Sequence, residues 1–134
     1  LNIPQAGRNY GWPVVTFGKD YSGSPVPGSV GRTAPGMEPP HHVWEVSPAL
    51  SGMMFYSGKA FPEWKGNLFQ GALAKTALIR LELDGDRIVH EERLLTDRAE
   101  RIRDVREGPD GAIYVLTDEE NGKLLRIQRR QADN

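Results

Sequence analysis

Residues 66–83, GNLFQGALAKTALIRLEL, consist of two short apolar runs separated by a polar segment. In the second run Ile79, Leu81 and Leu83 alternate with charged residues, which is the period of a β-strand with one buried face. An Asp-Gly pair and another run of β-prone residues follow directly, so residues 76–95 are predicted to form a β-hairpin. The stretch therefore predicts antiparallel β-structure.

The same order of features returns in residues 111–128, GAIYVLTDEENGKLLRIQ. The offset is 45 residues at the leading glycine and 46 at the arginine of the second run, which indicates a one-residue insertion in the intervening turn. A looser similarity relates residues 46–56 to residues 105–115. A repeat of this length, with about four strands in each unit, is typical of β-propeller blades.

The fold class predicted from these patterns is all-β, with about two propeller blades and a long N-terminal loop. Residues 1–42 are rich in Gly and Pro and are predicted to be loop-rich, residues 43–100 to form the first blade, and residues 101–130 part of the next. A propeller closes only with about 4–8 blades. We therefore expect the chain to be a piece of a larger ring or to complete one by self-association. A β-sandwich unrelated to propellers is the alternative.

Composition limits the function classes. The chain has 134 residues and a formal net charge of −1, so it has no basic surplus that would suggest nucleic acid. It has no cysteine, which excludes disulfides and thiolate metal sites. No apolar stretch approaches the ~20 residues that a membrane-spanning helix needs. The chain opens without a methionine and without a signal-like apolar segment, and it is expected to begin inside a domain.

Two arginines stand just before the Pro-Asp-Gly turn at residues 109–111. Arg101 and Arg103 are two positions apart, and in an extended strand such residues project from the same face. Two guanidinium groups are therefore predicted to point the same way at the start of a strand. Taken alone, the pattern also fits a solvated edge strand, where charges deter edge-to-edge pairing.

Four blocks of sequence, taken in order, resemble one family. They are NYGWP (9–13), SGMMFYSGKAFPEWKGNLFQGAL (51–73), the hairpin with DGDRI (84–88), and LLTDRAERIRDVREGPDGAIYVLTDEENGKLLRI (94–127). The set is similar to the C-terminal part of the soluble sugar dehydrogenases that use pyrroloquinoline quinone (PQQ), the aldose-sugar and glucose/sorbosone dehydrogenases, which are six-bladed propellers. The resemblance runs from Leu1 to about Ile127.

This resemblance implies a reaction. In the family a sugar hydroxyl gives up a hydride to the quinone and a lactone forms, with a calcium ion beside the cofactor and a histidine as general base. The implied partner is thus an aldose sugar, and the implied location is the periplasm or the exterior of the cell. The preferred sugar and the electron acceptor are not determined by the sequence.

The resemblance also implies binding residues. Arg101 and Arg103 match the paired arginines that hold the cofactor, and planar guanidinium groups suit its three carboxylates because they bind carboxylates in a bidentate manner. Lys75 is a third candidate, although relatives carry the lysine directly after Gly-Ala-Leu, where this chain has an alanine. Tyr10 and Trp12 are candidates for the sugar side of the pocket; the alternative is that both simply pack between blades.

No catalytic or metal-binding residue is predicted in this chain. His41 and His42 are adjacent on an extended segment and point apart, and His90 lies among charged residues of a predicted outer strand. None of them matches the family's base. We therefore expect the isolated chain to lack activity, because it carries no general base and no calcium ligands. A non-catalytic propeller segment that binds a partner, assembles with itself or pairs with the remaining part of a propeller is the alternative function.

Overall fold

A computed structural model of the chain describes residues 1–130. The chain divides into two compact units, the first Leu1–Ser47 and the second beginning at Pro48. The first unit consists of turns and loops, and its β-structure is a single parallel bridge between Val15 and Gly31. Within the described residues, no helix is both long enough and apolar enough to cross a membrane.

The second unit contains two antiparallel sheets. The first sheet has the strand order β1-β2-β3-β4 and the second the order β5-β6-β7. In both, strands that are consecutive in the sequence are neighbours, which is the meander of a propeller blade. The prediction of an all-β chain with propeller blades is confirmed, and the sandwich alternative is wrong. The strands are β1 (Leu50–Phe55), β2 (Leu68–Ala72), β3 (Ala77–Asp84), β4 (Arg87–Leu94), β5 (Ile102–Glu107), β6 (Ile113–Thr117) and β7 (Leu124–Ile127), with short 3-10 helices at Pro62–Trp64 and Thr96–Arg98.

Strand register confirms the closer of the two internal repeats. Phe69 of β2 lies opposite Arg80 of β3, and Tyr114 of β6 lies opposite Arg126 of β7, so the two arginines occupy equivalent positions in the register of the two hairpins. The looser similarity, between residues 46–56 and 105–115, is wrong as a structural equivalence. It would match β1, an edge strand, with the start of β6, a central strand. The equivalent of β1 is β5.

Strand β5 did not stand out among the apolar runs because it contains a β-bulge. Ile102 pairs with Thr117 and Asp104 with Leu116, so Arg103 is the extra residue between them. The bulge moves the buried residues to Ile102 and Val105, which are three positions apart and break the two-residue period. Strand β1 has the same one-residue shift of register between Leu50 and Met53.

The core of the second unit lies between the two sheets. It is built from side chains of both sheets and of the connection between β1 and β2, which are Tyr56, Phe61, Phe69, Leu78, Ile102, Val105, Ile113 and Val115. Burying a large apolar side chain contributes roughly 1.5–3 kcal/mol. The interface between the sheets therefore contributes substantially to the hydrophobic stabilisation of this unit.

Small residues let the two sheets approach closely at one end. Added Cβ atoms at Gly52 and Gly71 would lie 2.7 Å from the Cα atom of Asp104 and 2.9 Å from the carbonyl oxygen of Ile102. The Ser51 hydroxyl donates a hydrogen bond of 2.7 Å to the same carbonyl of Ile102. These contacts fix the start of β5, and with it the predicted arginine pair, against the first sheet.

Candidate functional site

The two arginines converge on one carboxylate. Arg101 precedes β5 directly, and Arg103 is the extra residue of its bulge. Nε and Nη2 of Arg101 donate to Oδ2 of Asp118 at 3.1 and 2.9 Å, and Nη2 of Arg103 donates to the same oxygen at 2.9 Å. Their side chains are 45% and 52% exposed, so both guanidinium groups remain accessible to solvent.

Asp118 and its neighbour Glu119 also hold the backbone of this corner. The Asp118 N–H donates to the carbonyl oxygen of Arg101 at 2.8 Å. The Arg101 N–H in turn donates to Oε1 of Glu119 at 3.0 Å. Hydrogen bonds from Arg101, and then from Arg103, lower the pKa of the Asp118 carboxyl group below its ordinary value. Asp118 is therefore the ionised centre of a cluster that joins the start of β5 to the turn after β6.

Asp118 was missed in the sequence. It begins the acidic run DEE (118–120) that follows β6, and it lies fifteen residues after Arg103. Only the antiparallel pairing of Ile102 with Thr117 brings that run beside the arginines. Local sequence spacing does not encode this proximity.

The arginine pair retains open hydrogen-bond donors. Within residues 1–130, Nη1 of Arg101 and both Nε and Nη1 of Arg103 have no protein hydrogen-bond partner. Accessible guanidinium groups with unused donors are suited to planar carboxylates. The chemistry of this donor set fits a ligand that carries several carboxylates.

Lys75 lies in the turn between β2 and β3, at residues 73–76. It is exposed and has no hydrogen bond or ion pair with any other described residue. Ala74 and Lys75 both belong to the turn, so the alternation of strand faces does not decide where the lysine points. Whether Lys75 takes the place of the lysine of relatives stays a prediction.

Tyr10 and Trp12 belong to the first unit, whereas the three cations belong to the second. The Tyr10 hydroxyl donates to the carbonyl oxygen of Ile3 at 3.0 Å and accepts from the Gln5 N–H at 2.8 Å, so the ring is held in place. The Trp12 side chain is 71% exposed. Trp12 therefore offers an open aromatic face, and Tyr10 is a partly buried anchor of the loop.

His41 and His42 lie in the first unit, and His90 lies in the second. The backbone N–H groups of His41 and His42 both donate to the carbonyl oxygen of Leu1. The ring of His42 packs edge-to-face on Trp44 with ring centroids 4.5 Å apart. His90 is exposed on β4. The described part of the chain contains no group of three or more His, Asp or Glu residues arranged to hold a metal ion.

A family profile described as Glucose / Sorbosone dehydrogenase matches residues 1–126 of the chain. Aldose sugar dehydrogenase YliI of Escherichia coli strain K12 is 50% identical over 130 residues, which cover 97% of this chain and 35% of that protein. The crystal structure of a glucose dehydrogenase superposes with a TM-score of 0.90 at 60% identity, covering 96% of this chain and 38% of that one.

The PQQ-bound form of an aldose sugar dehydrogenase from Streptomyces coelicolor shares the fold, with a TM-score of 0.59 at 22% identity over 95% of this chain and 34% of that one. The chain thus spans about a third of the length of the relatives that it matches.

Proposed function

Because the chain belongs to the glucose/sorbosone dehydrogenase family, we propose that it forms the C-terminal part of a PQQ-dependent sugar dehydrogenase. In this proposal the enzyme oxidises an aldose hydroxyl to a lactone, and this chain contributes part of the cofactor site. The observation that carries the proposal is the side-by-side placement of Arg101 and Arg103 on one oxygen of Asp118, with further donors open.

The proposed role of the second unit is to bind the cofactor. Arg101 and Arg103 would hold carboxylates of PQQ through their unused N–H groups, and Lys75 would supply a third cation from the turn of the first blade. PQQ, when bound, supplies the acceptor for the hydride. We propose no general base and no calcium ligand among these residues, so those functions are assigned to other parts of the family fold.

The proposed role of the first unit concerns the sugar. Trp12 presents an exposed aromatic face, which suits the apolar C–H surface of a pyranose. Tyr10 would support the loop that carries it, since its hydroxyl is hydrogen-bonded within that loop. An aldose is accordingly the proposed substrate, and the periplasm or the cell exterior the proposed location.

The test uses the natural polypeptide that carries this sequence. It is titrated with PQQ in the presence of calcium, and dye reduction is followed with glucose or another aldose. Arg103→Ala is expected to weaken PQQ affinity by about tenfold to a hundredfold, since a hydrogen bond to a charged group contributes roughly 1.5–3 kcal/mol. Arg93→Ala is the matched control, because Arg93 pairs with Glu91 on the outermost strand, β4. Unchanged PQQ affinity in Arg103→Ala would remove the assignment.

A second candidate is a non-catalytic propeller segment that assembles with a partner or with copies of itself. Leu116 and Leu124, which pair across β6 and β7, are 45% and 64% exposed. An apolar cross-strand pair at the surface favours a further sheet packed on it. Dye reduction by the 134-residue chain alone would exclude this candidate. A monomeric mass in solution would exclude assembly by copies.

A further inference from the structure

We propose that Asp118 is the positioning residue of the cofactor site: it holds Arg101 and Arg103 in the orientation in which they bind carboxylates. The inference rests on the proposed function and adds a residue to it. It starts from the fact that both guanidinium groups donate to the same atom, Oδ2 of Asp118.

The sharing of one oxygen fixes the relative position of the two side chains. Arg101 uses Nε and Nη2 for Asp118, and Arg103 uses Nη2 alone. One edge of the Arg101 guanidinium group and one nitrogen of the Arg103 group are thereby engaged, and the remaining donors are left for a ligand. Asp118 can therefore set the orientation of the pair without consuming its binding capacity.

The first blade shows that the fold does not require this cluster. Asp118 N–H bonds the carbonyl oxygen of Arg101 at 2.8 Å, and at the equivalent place the Leu73 N–H bonds the carbonyl oxygen of Ala49 at 3.0 Å. This backbone hydrogen bond, from the turn after the second strand to the residue before the first strand, is thus present in both sheets. In the first blade, however, the two positions are occupied by uncharged residues, so the carboxylate and the guanidinium group are additions to the common architecture.

The bulges of β1 and β5 also differ in the side chain that they carry. Ser51 follows Leu50 in β1 as Arg103 follows Ile102 in β5. The Ser51 hydroxyl turns to the neighbouring sheet and donates to the carbonyl oxygen of Ile102. Arg103, by contrast, extends to Asp118 with its side chain 52% exposed. The bulge residue of the first blade thus packs the two sheets together, whereas the bulge residue of the second blade presents a cation.

Positioning has a physical benefit that charge alone does not supply. A free arginine side chain loses rotamer freedom when it binds a ligand, and preorganisation removes part of that loss. The negative charge of Asp118 repels the carboxylates of PQQ, so any gain in affinity arises from orientation.

Two variants separate the charge of Asp118 from its hydrogen bonds. Asp118→Asn keeps one acceptor oxygen and removes the charge. Asp118→Leu removes both, and leucine is the residue type that the first blade has at this position, Leu73.

The experiment measures PQQ affinity by direct titration of the apo form of the natural polypeptide. Asp118→Leu is expected to bind about tenfold more weakly than the wild type, and Asp118→Asn to lie between the two. In a background with Arg101→Ala and Arg103→Ala, Asp118→Leu should cause no further loss, because its effect passes through the arginines. Glu120→Leu is the matched control, since Glu120 is an exposed residue of the same turn.

Three results would be decisive. Wild-type affinity in Asp118→Leu would overturn the positioning role while leaving the proposed function intact. An equal loss in the arginine-free background would show that Asp118 acts on the fold and not on the pair. Failure of the wild-type polypeptide to bind PQQ would overturn the proposed function itself, and the inference with it.

Discussion

The Tyr56 hydroxyl is buried in the core and bonds three backbone groups in two segments of the chain. It donates to the carbonyl oxygen of Gly111 at 2.7 Å, and it accepts from the N–H groups of Ala60 and Phe61 at 2.9 and 3.1 Å. Gly111 belongs to the turn before β6, so this one oxygen ties the first sheet to the second. Without it, two N–H groups and one carbonyl oxygen lose their partner.

We expect Tyr56→Phe to lower the free energy of unfolding by about 1–3 kcal/mol, which is the usual effect of leaving buried polar groups unsatisfied. Chemical denaturation monitored by tryptophan fluorescence measures the change. Tyr114→Phe is the matched control, because the Tyr114 hydroxyl bonds Asp110 in an exposed setting. Equal stabilities of the two variants would contradict the role given to Tyr56.

At the same scale, the sequence predicted the arginine pair but did not predict its partner, Asp118. Arg101 and Arg103 are two residues apart, and strand alternation predicts that they point to one side. Both do reach Asp118, although Arg103 is the extra residue of a bulge, where simple alternation does not apply. The contact with Asp118 depends on pairing between β5 and β6, and the bulge at Arg103 shifts that pairing by one residue. A contact set by register is not readable from spacing along the chain.

At the scale of the strand, β1 and β5 are the elements that bring the two sheets together. Both are edge strands, both contain a bulge, and their residues touch through Gly52 and Asp104. The hairpins that follow them were predictable because alternation and turn residues agree there. Strand β5 was harder to detect, because its bulge separates the buried Ile102 and Val105 by three positions.

We expect Gly52→Ala to destabilise the second unit. Its Cβ atom would lie 1.8 Å from Oδ1 of Asp104 and 2.7 Å from the Asp104 Cα atom, so the two strands would have to separate. Overpacking of this kind costs typically about 1–3 kcal/mol. The measurement is the midpoint of thermal or urea unfolding.

Gly122→Ala is the control for that substitution. A Cβ atom at Gly122 would meet its nearest neighbour, the carbonyl oxygen of Glu119, at 3.4 Å, which is an ordinary contact distance. Its unfolding midpoint should follow that of the wild type. A midpoint of Gly52→Ala as high as that of the control would contradict the close packing of β1 on β5 at Gly52 and Asp104.

At the scale of the whole molecule, several carboxylates are held ionised by cations on other segments. The pKa of Glu100 is lowered by hydrogen bonds from Lys123 and Arg98, and the pKa of Asp110 by hydrogen bonds chiefly from Arg126. These pairs, like the Asp118 cluster, connect the second sheet to its own turns. A carboxyl group with a lowered pKa stabilises the fold where it is ionised, and this contribution is lost as the pH falls through the folded-state pKa.

We expect the combined variant Glu100→Gln, Asp110→Asn and Asp118→Asn to be less stable than the wild type at pH 7. The difference should be complete above the ordinary carboxyl pKa values of 3.8 to 4.5 and should shrink as the pH falls below them. Unfolding midpoints measured from pH 7 down to about pH 2.5 provide the test. Glu120→Gln is the control, because Glu120 has no ion pair among residues 1–130. A constant difference across this range would contradict the assignment.

The backbone hydrogen bond that closes the turn in both blades has an evolutionary consequence. Because Leu73 and Asp118 make the same main-chain contact, a duplicated blade can diverge at these side chains while its sheet is preserved. The side chains at the turn, before β5 and in its bulge distinguish the blade that carries the arginine pair from the blade that does not, while the main-chain contact is the same in both. New ligand specificity can therefore arise in this fold without any change in topology.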